Sequence, residues 1–228
     1  TKEVTVPVTK EVTKMVTQEV TKVVTQVVTQ VVTKVVTPAV PTFFAGAYPY
    51  EVPPVGHMNM FVARAINIGI YQDFMEMPFG RYYWATDKWE PYLATSWELK
   101  PPDSFLVKLR KGVKWSDDKE FTAKDVICTF NIRRLMNHTV WRYLGKVEAV
   151  DDYTVNFQMV KPTTIIVRYV LIQFIVPCVT YGEWSAKLQA LVDAKKTKDD
   201  QEWKDLLTKF TEFRPTERII TGPYNINM

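Results

Sequence analysis

The sequence predicts a mixed α/β chain, and three observations predict it. Residues 105–109 alternate, with Phe105, Val107 and Leu109 on one face and Lys108 on the other, which is the period of a half-buried strand. Thr122, followed three residues later by Asp125, has the form of a capping box opening a helix that buries Val126, Ile127 and Phe130. Residues 146–159 then read as a hairpin turning at Asp151-Asp152, with Tyr153, Val155, Phe157 and Met159 sharing a face.

The other elements follow in chain order. Val-Thr recurs at every fourth position from Val4-Thr5 to Val36-Thr37. A stripe of period four drifts about 40° per repeat on a helix, so no single face could stay against one core. Residues 1–42 are therefore read as a low-complexity, solvent-facing spacer, with an oligomerising coil as the alternative. Residues 43–48 are expected to form a strand. A helix is expected over about 65–77, with Ile66, Ile70 and Phe74 at helical spacing. Residues 79–89 suggest a hairpin with aromatic cross-strand pairs among Tyr82, Tyr83, Trp84 and Trp89.

Residues 93–99 form a strand ended by Pro101-Pro102, and Lys111-Gly112 turns the chain. Ser116-Asp117-Asp118 favours a second turn through side-chain to backbone bonds. Past the hairpin, a short helix over 163–171 and a strand over 174–176 are expected, the strand stopped by Pro177. A helix over 183–194 places Trp184, Leu188 and Leu191 on one side. Asp199 or Asp200 caps another, with Trp203, Leu206, Leu207 and Phe210 as its apolar stripe, ending at Pro215. Residues 219–220 and 224–226 look like a closing strand.

Composition narrows function mainly by exclusion. The chain is 46% hydrophobic and 24% charged, with a net charge of +4 and no basic run interleaved with aromatics, so nucleic-acid binding has little support. The apolar run at 165–176, interrupted by Arg168 and Gln173, is too short to span a bilayer. Two cysteines, Cys128 and Cys178, are no disulfide framework; both read as small buried hydrophobes, and a bridge between them stays open. His57 and His138 show no metal-ligand spacing, and no nucleophile elbow, phosphate loop or dinucleotide fingerprint is present. Asp117-Asp118 is read as turn chemistry rather than an acid–base pair. No set of residues argues for bond-making chemistry or a cofactor, so an enzyme is not expected.

In order, Leu93-Ala94-Thr95-Ser96-Trp97, then Leu109 to Trp115 (LRKGVKW), Ser116-Asp117-Asp118 and Thr122-Ala123-Lys124-Asp125-Val126 resemble the signature of the family 5 extracellular solute-binding proteins, the peptide, nickel and oligosaccharide receptors of ABC importers. Residues 147–155 resemble that family's hairpin, and Thr221-Gly222-Pro223-Tyr224 its return strand. One position departs: Asp118 stands where the family has glycine, and Asp tolerates left-handed geometry better than most residues.

The resemblance covers roughly residues 43–228. It implies lobe I of a type II (cluster C) periplasmic-binding-protein-like fold with its extra subdomain, the second lobe being missing. Residues 43–77 would be the first part of lobe I, 78–217 the inserted subdomain, and 218–228 a truncated return strand. The chain is thus expected to be a fragment of a longer, monomeric receptor outside the cytoplasm, held by a lipid anchor on an N-terminal cysteine absent here and working with a membrane permease. The resemblance places the loop before the first helix toward the ligand, making Asn59, Phe61, Ala63 and Arg64 candidate contacts. Arg64 reads more readily as a solvated helix-start charge, and Phe61 equally as core. Trp141 and Tyr143 either stack on a ligand or cover the subdomain core. Peptide is the broader expectation for the ligand, with oligosaccharide as the alternative; a non-transport surface module is the reading from another class.

Overall fold

A computed structural model describes residues 56–63, 65 and 74–224. The repeat, the strand expected at 43–48, Arg64 and most of the helix expected at 65–77 lie outside the described residues. Where that helix was expected to end, Glu76 and Met77 are irregular backbone.

The architecture is mixed α/β. Strands β1 (Gly80–Tyr83) and β2 (Lys88–Pro91) form the aromatic hairpin, with Tyr82 opposite Trp89 and their rings 5.3 Å apart. Strands β3 (Ala94–Lys100), β4 (Ser104–Leu109), β5 (Leu144–Asp151) and β6 (Thr154–Met159) build an antiparallel sheet in the order β3-β4-β6-β5. Phe105 faces Phe157 and Val107 faces Val155 across the two central strands. Those four side chains are fully buried, which is what alternation on β4 and β6 requires.

The turn between β4 and the first described helix uses left-handed backbone twice, at Gly112 (φ 73°) and Asp118 (φ 64°). Glycine accepts that conformation freely and Asp with local hydrogen bonding. Helix α1 (Ala123–Leu135) opens with the full capping box: Thr122 Oγ1 accepts from Lys124 N, and the Asp125 carboxylate accepts from Thr122 N at 2.9 Å.

Helix α1 is buried on two sides. Phe130 meets Phe157 edge-on, with ring centroids 4.8 Å apart, while Cys128, Ile132 and Leu135 join a second core with the helices that follow. Ile127, expected inside, is only half-buried, because the second buried face runs through Cys128 and Thr129 instead.

After a single 3-10 turn at Thr139–Arg142 and the β5–β6 hairpin come α2 (Ile165–Leu171), α3 (Cys178–Asp193) and α4 (Gln201–Glu212). Several expectations are corrected here. Residues 174–176 form no strand; Phe174 makes one isolated bridge to Pro78. Helix α3 starts at Cys178, five residues earlier than expected, because Pro177 is an N-cap without a side-chain cap bond and leaves little local signal. Asp200 precedes α4, but its carboxylate accepts from Thr197 N and Thr197 Oγ1 rather than from the helix. The end of α4 is as expected: the helix stops at Glu212, with Phe213 as C-cap and Pro215 just beyond.

The described part of the closing segment, up to Tyr224, is not a regular strand. Ile220 exchanges bonds with Ser116, while Gly222 N donates to Met75 O at 2.9 Å and Tyr224 N to Phe74 O at 3.0 Å. Among the described residues, no helix is long and apolar enough to cross a membrane.

Candidate functional site

The loop at 57–63 is fixed from beneath by Asn59, which is fully buried. Its Nδ2 donates to Phe210 O and Phe213 O, both at 3.2 Å, at the end of α4. Its Oδ1 accepts from Phe61 N. A buried amide of this kind holds its partners strongly, since losing it strands their carbonyls. Tyr181 of α3 braces the same loop: its hydroxyl accepts from Met60 N and donates to Met58 O.

So held, Phe61 packs edge-on against Tyr181, with centroids 5.3 Å apart, and leaves one side open to a cleft of about 300 Å³. The cleft is lined by Met60, Phe61, Glu76, Arg133, Met136, His138, Phe174 and Val176. Its walls are largely apolar and thioether, with a few charged groups, the usual composition of a small-ligand site.

Arg133 supplies the buried cation. It sits 5.7 Å from the Phe61 ring centroid and donates from Nη2 to Phe174 O at 3.3 Å. Its Nε is buried with no hydrogen-bond partner among the described residues. Burial pushes its pKa down to about 10, with the Glu76 charge opposing, so it remains a cation at neutral pH. Burial, and then the charge of Arg133, hold His138 below the usual imidazole value. The His138 Nδ1 accepts from Val140 N, which puts the proton of the neutral ring on Nε2.

Glu76 is the acidic counterpart, paired with Arg218 at 2.9 Å; both side chains are 5% exposed. The arrangement suits a ligand with an anionic end and an apolar body. Among the described residues, no group of three or more His, Cys, Asp or Glu could hold a metal ion.

The structure brings Asn59 and Phe61 together and leaves Ala63 exposed beside them, its carbonyl 2.9 Å from His57 Nε2. Trp141 and Tyr143 belong to the sheet-side core. The Trp141 Nε1 donates to Phe130 O at 2.8 Å, and the Arg134 guanidinium lies 4.6 Å from its ring centroid. Tyr143 packs on Tyr169, with centroids 5.1 Å apart.

Glu76, Arg133, His138 and Phe174 did not stand out in the sequence. Arg133-Arg134 in the last turn of α1 reads as ordinary complementation of the helix dipole. His138 reads as a helix terminator. Only the fold gathers them.

Comparison with known proteins bears on this arrangement. The dipeptide-binding protein of Escherichia coli (strain K12) is 28% identical over 121 residues, 43% of this chain and 22% of that protein. A periplasmic oligopeptide-binding protein of an oligopeptide ABC transporter from Thermotoga maritima, solved with mannohexaose bound, matches at a TM-score of 0.51 and 25% identity, covering 71% of this chain and 26% of that one. The oligopeptide-binding protein AppA from Bacillus subtilis, solved with a nonapeptide, shares the fold at a TM-score of 0.54 and 19% identity, over 78% of this chain and 33% of that one. The chain thus spans a quarter or so of the length of the first relatives it matches. The sequence profile of the bacterial extracellular solute-binding proteins, family 5 (middle), matches residues 88–227, more than half of the chain, which carries the four-stranded sheet, the four described helices and the closing turn. The chain belongs to the family 5 bacterial extracellular solute-binding proteins.

Proposed function

We propose that this chain is part of a receptor that captures oligopeptides or similar small solutes outside the cytoplasmic membrane and delivers them to an ABC-importer permease. The family match over residues 88–227 carries this reading. In it, residues 78–217 are the inserted subdomain of lobe I, flanked by 43–77 and 218–228, and a second lobe closes over the ligand. Residues 1–42 act as the spacer to a lipid anchor, and the receptor works as a monomer without catalysing a reaction.

Ligand contacts are assigned to Phe61, Ala63 and Arg64, on the loop that Asn59 anchors. The neighbouring Arg133 meets the anionic end of the ligand, a role its buried and unpartnered Nε supports. Trp141 and Tyr143, only partly covered by the sheet-side core, are kept as a second pair of ligand contacts. An oligosaccharide is the second reading, favoured by the mannohexaose bound to the Thermotoga maritima relative and by the stacking that such rings offer a sugar.

The test is a thermal-shift screen of the full-length protein against di- to hexapeptides and against α- and β-linked oligosaccharides. Ligand well above Kd stabilises by about 3 kcal/mol, which a melt resolves. Peptide hits weakened by Phe61→Ala or Arg133→Met support the first reading; hits confined to sugars and weakened by Trp141→Ala support the second. No shift with either class, in a folded protein, refutes both.

A further inference from the structure

Two cysteines that the solute-binding reading does not use face each other across the contact between α1 and α3. Three hydrogen bonds align α1 with α3 and the residues that lead into it. Cys178 N donates to Asp125 Oδ1 at 2.7 Å, Val176 N donates to Thr129 Oγ1 at 2.9 Å, and Asn131 Nδ2 donates to Ser185 Oγ at 3.0 Å. Cys128 lies between Asp125 and Asn131 on the same helix, and Cys178 opens α3. The bonds therefore bring residue 128 to residue 178 from both sides. Cys128 is 1% exposed within the helical core, and Cys178 packs against that core with part of its surface open. At residue 182 a Cβ would stand 3.2 Å from the Cys178 Sγ, so Gly182 leaves that sulfur room to move.

We propose that Cys128 and Cys178 form a disulfide that ties α1 to the start of α3. The site has the asymmetry that thiol–disulfide exchange needs. Cys178 is partly exposed at the N-terminus of a 16-residue helix, where a thiolate is favoured. Hydrogen bonding to the neighbouring Cys128 thiol lowers the Cys178 pKa against burial and the Asp125 charge, whereas that same contact, followed by burial, raises the pKa of Cys128. A family located outside the cytoplasm also works in surroundings where disulfides persist.

With oxidised glutathione as the oxidant, the Cys178 thiolate attacks one sulfur of the reagent. The reagent's S–S bond breaks and one glutathione thiolate leaves and takes a proton. Cys128 then gives up its proton and attacks the Cys178 sulfur of the mixed disulfide, expelling the second glutathione. Two thiol hydrogens and two electrons have passed to the reagent, which leaves as two reduced glutathiones.

The test uses the whole chain, reduced, desalted and incubated folded with oxidised glutathione under native conditions. Titratable thiols, counted after denaturation, should fall from two to none. The intact mass should drop by about 2 Da, and a non-reducing digest should link the peptides holding residues 128 and 178. Closing a loop of about 50 residues should raise the melting temperature by about 10 °C over the reduced protein. Cys128→Ser and Cys178→Ser should each melt close to the reduced wild type and gain nothing from oxidant. A stable glutathione adduct at Cys178, two thiols still free, or a link that forms only in urea would overturn the proposal. The mass and thiol readouts on wild type hold even if a serine variant does not fold.

Discussion

Asp125→Ala is the substitution that best tests how the core is assembled. The residue is 6% exposed, and its carboxylate serves two helices at once. One oxygen accepts from Thr122 N, closing the capping box of α1; the other accepts from Cys178 N, the first N–H of α3. Alanine leaves both donors without that acceptor. A stranded buried N–H costs about 1–3 kcal/mol, and removing a poorly solvated carboxylate returns part of that. The expected loss is about 2–4 kcal/mol, or a midpoint shift of about 1–2 M in urea for a slope near 2 kcal/mol per M.

Thr122→Ala removes only the other half of the box and should cost about 1 kcal/mol. The pH dependence carries a definite sign. Burial raises the Asp125 pKa above its ordinary value, more than the Cys178 and Thr122 amides pull it down. A raised folded-state pKa gives stability that is fully present below the unfolded value, about 3.9, and lost as pH rises through the folded value. The cost of Asp125→Ala should therefore be larger at pH 3.5 than at pH 7. Urea melts of wild type and both variants at the two pH values decide it. A loss below about 1 kcal/mol at both, or one equal to that of Thr122→Ala, would refute the two-helix role.

Three further outcomes are expected. Gly222→Ala places a Cβ 2.1 Å from Phe74 O, which is backbone and cannot swing aside; it should cost about 3 kcal/mol or more in a urea melt, while Gly145→Ala, with nothing nearer than 3.8 Å, should be neutral or slightly stabilising. Arg218→Met takes from the buried Glu76 its 2.9 Å partner and should lose about 3 kcal/mol, with Glu76→Leu added to it recovering at least half in the double variant. Asp118→Gly, at φ 64°, should change the melting temperature by no more than a degree or two, whereas Asp118→Val should cost about 1 kcal/mol or more.

What was legible in the sequence was local. The capping box at Thr122 and Asp125, the left-handed turn at Asp118, the buried face of Phe105, Val107 and Leu109, and the Tyr82–Trp89 pair all depend on neighbours a few positions away or directly across a hairpin. What was not legible depends on partners far along the chain. Asn59 takes its role from carbonyls at 210 and 213, and the cleft beside Phe61 gathers residues from 60 to 176. Helix α1 illustrates the difference. With apolar residues needed on two sides and polar Asp125, Thr129 and Asn131 turned inward toward α3, it has no single apolar stripe for periodicity to find. The early start of α3 and the irregular closing segment are likewise set by contacts across the core.

The two bonds from Gly222 and Tyr224 back to Met75 and Phe74 bring the chain's path to within a hydrogen bond of where it set out nearly 150 residues earlier. Everything between is, for the backbone on either side, a hairpin loop of unusual size. Because loop-closure entropy grows only slowly with length, such a loop can be lengthened, shortened or exchanged at little cost to whatever carries it. That geometry makes the stretch from 76 to 221 a natural cassette: replacing it by a few glycines should leave the backbone at 74–75 and 222–224 able to meet, and transplanting it between two adjacent strands of another scaffold should leave both able to fold.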